Sequence, residues 1–157
     1  RRSMVQIHPP LPFLLRKPFE SKLRKIVEHT ADAGIEVEAD SLAEAFEEVG
    51  KAFTEIVTGG KLTESNNSHP IKISANNLDS LLVKFISDLI FLFDTENFLV
   101  SSAQIGIDSG FVLKGTLFGD TYNQTVHGYG VEVKAVSYHL LEVFSGPPST
   151  IKVILDL

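Results

Sequence analysis

A chain of 157 residues that is 43% hydrophobic can close one sizeable core, burying about 70% of its unfolded surface as a single globular domain. It has no cysteine, which excludes disulfides and thiolate metal sites and leaves nothing pointing to secretion. A formal charge of −6 argues against direct nucleic-acid binding, and no apolar run reaches the ~18 residues of a membrane helix.

The first twenty residues, RRSMVQIHPPLPFLLRKPFE, lack acids until Glu20 and carry four prolines. Their arginines suggest a targeting segment, but Pro9, Pro10 and Pro12 break the amphipathic helix such a segment needs. Residues 1–20 therefore read as a disordered extension or a remnant of expression, ahead of one domain at 21–157. The PPLP run is a weak match to a polyproline ligand.

A polar knot, Glu28-His29-Thr30-Ala31-Asp32, precedes a stretch in which Ile35 and Val37 alternate with Glu36 and Glu38, the pattern of a half-buried strand. Ser41 followed three places on by Glu44 is a capping box. It opens a helix whose stripe is Leu42, Ala45, Phe46, Val49, Phe53, Ile56 and Val57, with Glu44, Glu47, Glu48, Lys51 and Glu55 turned outward. Gly59 and Gly60 end it. KLTESNNSH reads as a polar loop and IKISA as a strand; Asn77 then caps a second, largely apolar helix, LDSLLVKFISDLIFLFD.

Beyond Asp94 the period changes to two. FLVSSAQIGI and FVLKGTLFG flank a turn at Asp108-Ser109-Gly110, while VEVKAVSYHLLEVF and IKVILDL flank SGPPST. The expected fold class is α+β: two helices packed on a mostly antiparallel sheet, in the order β-β-α-β-α-β-β-β-β.

No phosphate loop, nucleophile elbow or His-Glu-x-x-His motif is present. The glycines of His127-Gly128-Tyr129-Gly130 fall between strands, which gives no support to nucleotide binding. His8 and His69 sit in loops, and none of His29, His127 and His139 has helical metal spacing. Carboxylates remain. Asp32, Glu36, Glu38 and Asp40 share parity; Glu36 and Glu38 read as a solvated face, Asp40 as the start of the helix and Asp32, taken alone, as a turn acid. Asp156 interrupts the last apolar strand beside Leu157. Were these oxygens to converge, they would suit a hard cation such as calcium or magnesium better than zinc. Lys134, between Val133 and Ala135 in the expected strand, calls for solvent or an acid partner.

Three segments together resemble the archease family. EHTADAGIEVEADSLAEAFEEVGKAFTEIVT, from Glu28, is similar to its opening knot, strand and helix; GDTYNQTVHGYGVEVKAVSYHLLEV, from Gly119, to its later signature; VILDL to its ending. The likeness spans roughly Lys25 to Leu157. It implies an accessory protein that stimulates guanylylation and repeated turnover of an RtcB-type RNA ligase in tRNA splicing or RNA repair, not an enzyme in its own right; the absence of cysteine and of a clean signal points separately to the cytoplasm. It also implies a divalent cation, calcium first and then magnesium or manganese, held by Asp32, Asp156 and the main-chain oxygen of Leu157. His29, Lys134, Asp120 and His139 would support that site. The chain departs from the family where Asp120 replaces a glutamate, Ser137 a threonine, and no tryptophan occupies the second helix, where Phe85 would fill the space. Two alternatives are a metal-dependent hydrolase using the same carboxylates with His29 as base, and a chaperone-like binding module. The second needs an exposed apolar patch that the stripes, all spent on the core, do not leave.

Overall fold

The computed structural model describes residues 22–28 and 31–157; the proline-rich start and His29 and Thr30 of the knot lie outside the described residues. The elements run β1 (Leu23–Glu28), β2 (Asp32–Ala39), α1 (Leu42–Thr58), β3 (Asn67–Ser74), α2 (Leu78–Glu96), β4 (Phe98–Ile107), β5 (Val112–Thr121), α3 (Gln124–His127), β6 (Ala135–Phe144) and β7 (Ser149–Asp156). This is the expected α+β order with one short helix, α3, added. The strands form two antiparallel sheets, β1-β2-β7-β6 and β3-β5-β4.

Local chemistry sets the element ends. The Ser41 hydroxyl accepts from the Glu44 N–H, opening α1, and Gly59 closes it in left-handed backbone at φ 78°. Asn77 caps α2 by accepting from the Ser80 N–H, and Asn97 ends it at φ 54°. In the β4–β5 turn the Asp108 carboxylate accepts from the N–H groups of Gly110 and Val112. Two strands start earlier than their alternation suggests: β2 at Asp32, and β3 at Asn67, inside the expected polar loop.

Helix α1 lies between the sheets, against β1, β2 and β7 on one side and β4 on the other. Phe46, Val49 and Phe53 meet Ile35, Leu81, Phe85 and Leu99 in one core. Because both sides of α1 are covered, the expectation that Glu48 and Glu55 face outward is overturned. They are only 3% and 8% exposed, and both pair with Arg24 of β1. The Arg24 Nη1–Glu48 distance is 2.6 Å, and Lys51 approaches Glu48 at 3.3 Å. Burial alone would lower the Arg24 pKa, yet the two carboxylates together hold it above its ordinary value. Buried charge is tolerated here because it is paired and hydrogen-bonded.

The glycine segment after α3 packs on the end of α1. The N–H groups of Gly130 and Val131 donate to the carbonyls of Val57 and Ile56, and a Cβ on Gly130 would lie 2.1 Å from the Ile56 oxygen. These glycines serve close backbone approach. His127 is buried: its Nδ1 accepts from the Asn123 N–H, so its Nε2–H donates to Thr63, while Tyr122 stacks on its ring. It is a satisfied structural histidine.

Candidate functional site

Pairing of β2 with β7 sets Asp32 directly opposite Asp156. The next pair along exchanges a backbone bond, Leu157 N–H to Ala31 carbonyl at 3.0 Å, so Asp32 and Asp156 form a non-hydrogen-bonded pair. Side chains approach most closely at such pairs, with Cβ atoms about 4.5–5.5 Å apart. Parity fixes their side of the sheet. Ala33, Ile35, Val37 and Ala39 of β2 are buried, as are Ile151, Val153 and Leu155 of β7, so both aspartates stand on the outer face. Asp32 is half-buried there and Asp156 exposed.

The rest of that face shows what is unusual about the pair. Register places Lys25, Glu36, Lys152 and Glu142 in one row across all four strands, with charges alternating in sign. Lys25 reaches Glu36 at 3.5 Å and Lys152 reaches Glu142 at 3.9 Å. A groove of about 310 Å³ overlies this part of the sheet, lined by Lys25, Glu36, Glu38, Thr150 and Lys152. The Asp32–Asp156 row instead sets like charges side by side. Among the described residues neither carboxylate has an ion-pair or hydrogen-bond partner. Like charges directly opposite destabilise a sheet, and a cation between them removes the cost. Two carboxylates side by side offer oxygen donors of the kind calcium and magnesium take.

The other sequence-derived candidates divide. Leu157 is held beside the pair by its bond to Ala31. Lys134 is not in mid-strand: it precedes β6, is exposed, and its N–H donates to the Asp156 carbonyl at 2.8 Å. It therefore fixes the main chain of the acid and has solvent for its own charge. His139 lies on β6, exposed, its N–H donating to the Ser137 hydroxyl. Asp120 belongs to the other sheet, where its carboxylate takes hydrogen bonds from Asn66 and the Thr121 N–H, away from the aspartate pair. His29 falls outside the described residues. Among the described residues no cluster of three or more His, Asp or Glu side chains is arranged to hold a metal.

Sequence reasoning missed the edge of this sheet. Tyr138, Leu140 and Phe144 of β6 are 61%, 68% and 63% exposed, which overturns the expectation that apolar residues are all spent on the core. The signal that could have found it is the doublet Leu140-Leu141, which shifts the phase of the alternation in VSYHLLEVF where the register on β7 jumps.

Comparison with known proteins gives a consistent result. The profile of the Archease protein family (MTH1598/TM1083) matches residues 25–157. Protein archease of Pyrobaculum neutrophilum is 35% identical over 120 residues, covering 74% of this chain and 82% of its own length. That of Methanothermobacter thermautotrophicus is 35% identical over 133 residues, covering 82% of this chain and 94% of its own. The solution structure of Methanobacterium thermoautotrophicum protein 1598 is similar with a TM-score of 0.72 at 31% identity, covering 88% of this chain and 100% of that one. The chain belongs to the archease family.

Proposed function

We propose that this member of the archease family is an accessory protein that stimulates guanylylation and repeated turnover of an RtcB-type RNA ligase, through a divalent cation held at the Asp32–Asp156 pair. The observation that carries the reading is the register of β2 on β7. Two acids far apart in sequence become direct cross-strand neighbours, with like charge and no cationic partner among the described residues.

Asp32 and Asp156 would supply carboxylate oxygens and Leu157 a main-chain oxygen. When bound, a divalent cation supplies concentrated positive charge that can meet a phosphate or carboxylate oxygen of the partner. The chain's own contribution is positional. Asp156 is fixed on one side by the Lys134 N–H on its carbonyl, and the Leu157 N–H is fixed on the other by Ala31. Both acids therefore stand on a rigid sheet, and a group carried on such a frame can order reactive groups in a neighbouring active site, an effect worth several kcal/mol. The chain's net charge of −6 suits electrostatic steering toward a ligase whose RNA- and nucleotide-binding face is basic.

The test is transfer of label from GTP to purified ligase, with calcium, magnesium or manganese. Asp32→Ala and Asp156→Ala should each abolish stimulation while leaving the circular dichroism spectrum unchanged. Full stimulation by either variant would sink the reading. Phosphoester turnover by the chain alone would replace it with the hydrolase alternative.

A further inference from the structure

We infer that the trough between α2 and the edge strand β3 binds a linear polyamine, an alkyl chain carrying an ammonium at each end.

The trough has a volume of about 270 Å³. Its helix wall is one face of α2, because Asp88, Phe91, Leu92 and Glu96 recur at the three- and four-residue spacing that shares a face. The opposite wall is β3, which pairs with β5 alone. Ile71 and Ile73 of β3 are buried, so by parity His69 turns the same way, toward α2. Lys72 stands on the other face of the strand, directly across from Lys114 of β5. Lys84, one turn before Asp88, donates to the Ser74 carbonyl at 2.8 Å. Neither lysine is within salt-bridge distance of the trough's acids, and among the described residues Asp88 and Glu96 have no hydrogen bond either.

Each end of the trough calls for a cation, for a different reason. Asp88 loses solvent between helix and strand, which pushes its pKa up, and among the described residues His69 alone counters this. Glu96 lies in the last turn of α2, which contains no basic residue. The free carbonyls of a helix end already carry partial negative charge, so an anion there is disfavoured and a cation favoured. Between the two acids lie Leu92 and the ring of Phe91, 61% exposed. The pattern along the helix is therefore carboxylate, hydrocarbon and aromatic face, carboxylate. Eight residues of helix separate the acids by about 12 Å, too far for one metal ion to bridge. A lysine side chain from a partner would satisfy one end and leave the other. An extended polyamine such as spermidine sets its end nitrogens about 11 Å apart, at the bond lengths and staggered torsions of an alkyl chain. Its methylenes then lie along Leu92 and Pro70, and its inner ammonium meets the Phe91 ring.

The test is calorimetric titration of the full chain at low salt with spermidine, diaminooctane, diaminopropane and butylamine, both diamines having their amines at the chain ends. Spermidine and diaminooctane should bind one per chain and at least fivefold more tightly than diaminopropane, which has the charge of diaminooctane and not its length. Asp88→Asn should weaken spermidine binding about tenfold, and Glu96→Gln and Phe91→Ala about two- to fivefold each. Asp79→Asn, at the exposed far end of α2, should change nothing. No binding overturns the inference. So does equal affinity for the two diamines, or a loss in Asp79→Asn matching that in Asp88→Asn, since either means diffuse attraction of cations to a chain of net charge −6. Butylamine binding as tightly as spermidine would make the trough a site for a single ammonium, such as a partner's lysine, and overturns the polyamine assignment. No ligase enters the experiment, so its failure leaves the proposed function untouched.

Discussion

Asp32→Asn should produce melting curves whose order inverts with calcium. The substitution keeps shape and polarity while removing one of two like charges placed directly opposite at a close cross-strand position. Cross-strand pairs of this kind are worth roughly 0.2–1 kcal/mol. In chelator the variant should therefore be more stable by that amount, a rise in melting temperature of about 0.5–4 °C for a domain of this size. Wild type in calcium at about 100 times its dissociation constant gains about 2.7 kcal/mol, or roughly 5–11 °C, which the variant forfeits with the lost ligand. Raising the salt should shrink the advantage in chelator by screening the repulsion. Scanning calorimetry in chelator and in calcium, at low and high salt, reads all three. A variant less stable than wild type in chelator would make Asp32 a structural turn acid. An equal calcium shift in both proteins would place the cation elsewhere. Either result refutes the reasoning.

The buried ion cluster and the surface of α2 provide two further tests. Arg24→Met leaves Glu48 and Glu55 buried with, among the described residues, only Lys51 near the former, and should cost about 3–5 kcal/mol in urea unfolding. Adding Glu48→Gln and Glu55→Gln should recover much of the loss, and no recovery would mean that the arginine acts through packing. Burial raises the Asp88 pKa, against a smaller opposing effect of His69. The folded state thus holds the proton more tightly than the unfolded chain, and stability falls as pH rises from the ordinary carboxylate range through the raised value. Asp88→Asn should remove that decline and be the more stable protein at neutral pH; parallel stability–pH curves would exclude the assignment.

What could be read beforehand was whatever is local. Ser41 before Glu44, Gly59 after Thr58 and the Asp108-Ser109-Gly110 turn each satisfy nearby backbone groups, so the residue type and its neighbours determine the outcome. What escaped depends on partners far along the chain. Glu48 and Glu55 lie off the apolar stripe of α1, and their burial depends on pairing with Arg24 of β1, far away in sequence. The site was legible in its residues and not in its register. Nothing in either segment states that Asp32 faces Asp156, whereas Asp120, equally acidic in sequence, goes to the other sheet. The β6 bulge left one local mark, the doublet Leu140-Leu141, where the alternation changes phase so that Leu141 and Val143 rather than Tyr138 and Leu140 face the core; how many residues it extrudes depends on the pairing with β7.

The charge rows of the outer face suggest how to separate charge from chemistry at the site. One row alternates Lys25, Glu36, Lys152 and Glu142; the other repeats a negative sign at Asp32 and Asp156. Asp156→Lys would give the second row the alternation of the first, placing an ammonium opposite Asp32 where a cation is proposed. The resulting pair should add about 0.2–1 kcal/mol in place of the repulsion it removes. The variant should therefore melt above wild type in chelator and show no calcium shift. Its effect on the ligase then discriminates between roles. If the cation only neutralises the pair so that this face can approach the ligase, Asp156→Lys should stimulate guanylylation without added calcium. If oxygen ligands must hold a metal that meets the partner's own groups, the variant should bind the ligase with near wild-type affinity and stimulate nothing. An ammonium cannot offer the open coordination positions of a metal, so the proposed function requires the second result, and a stimulating Asp156→Lys chain would refute its metal chemistry.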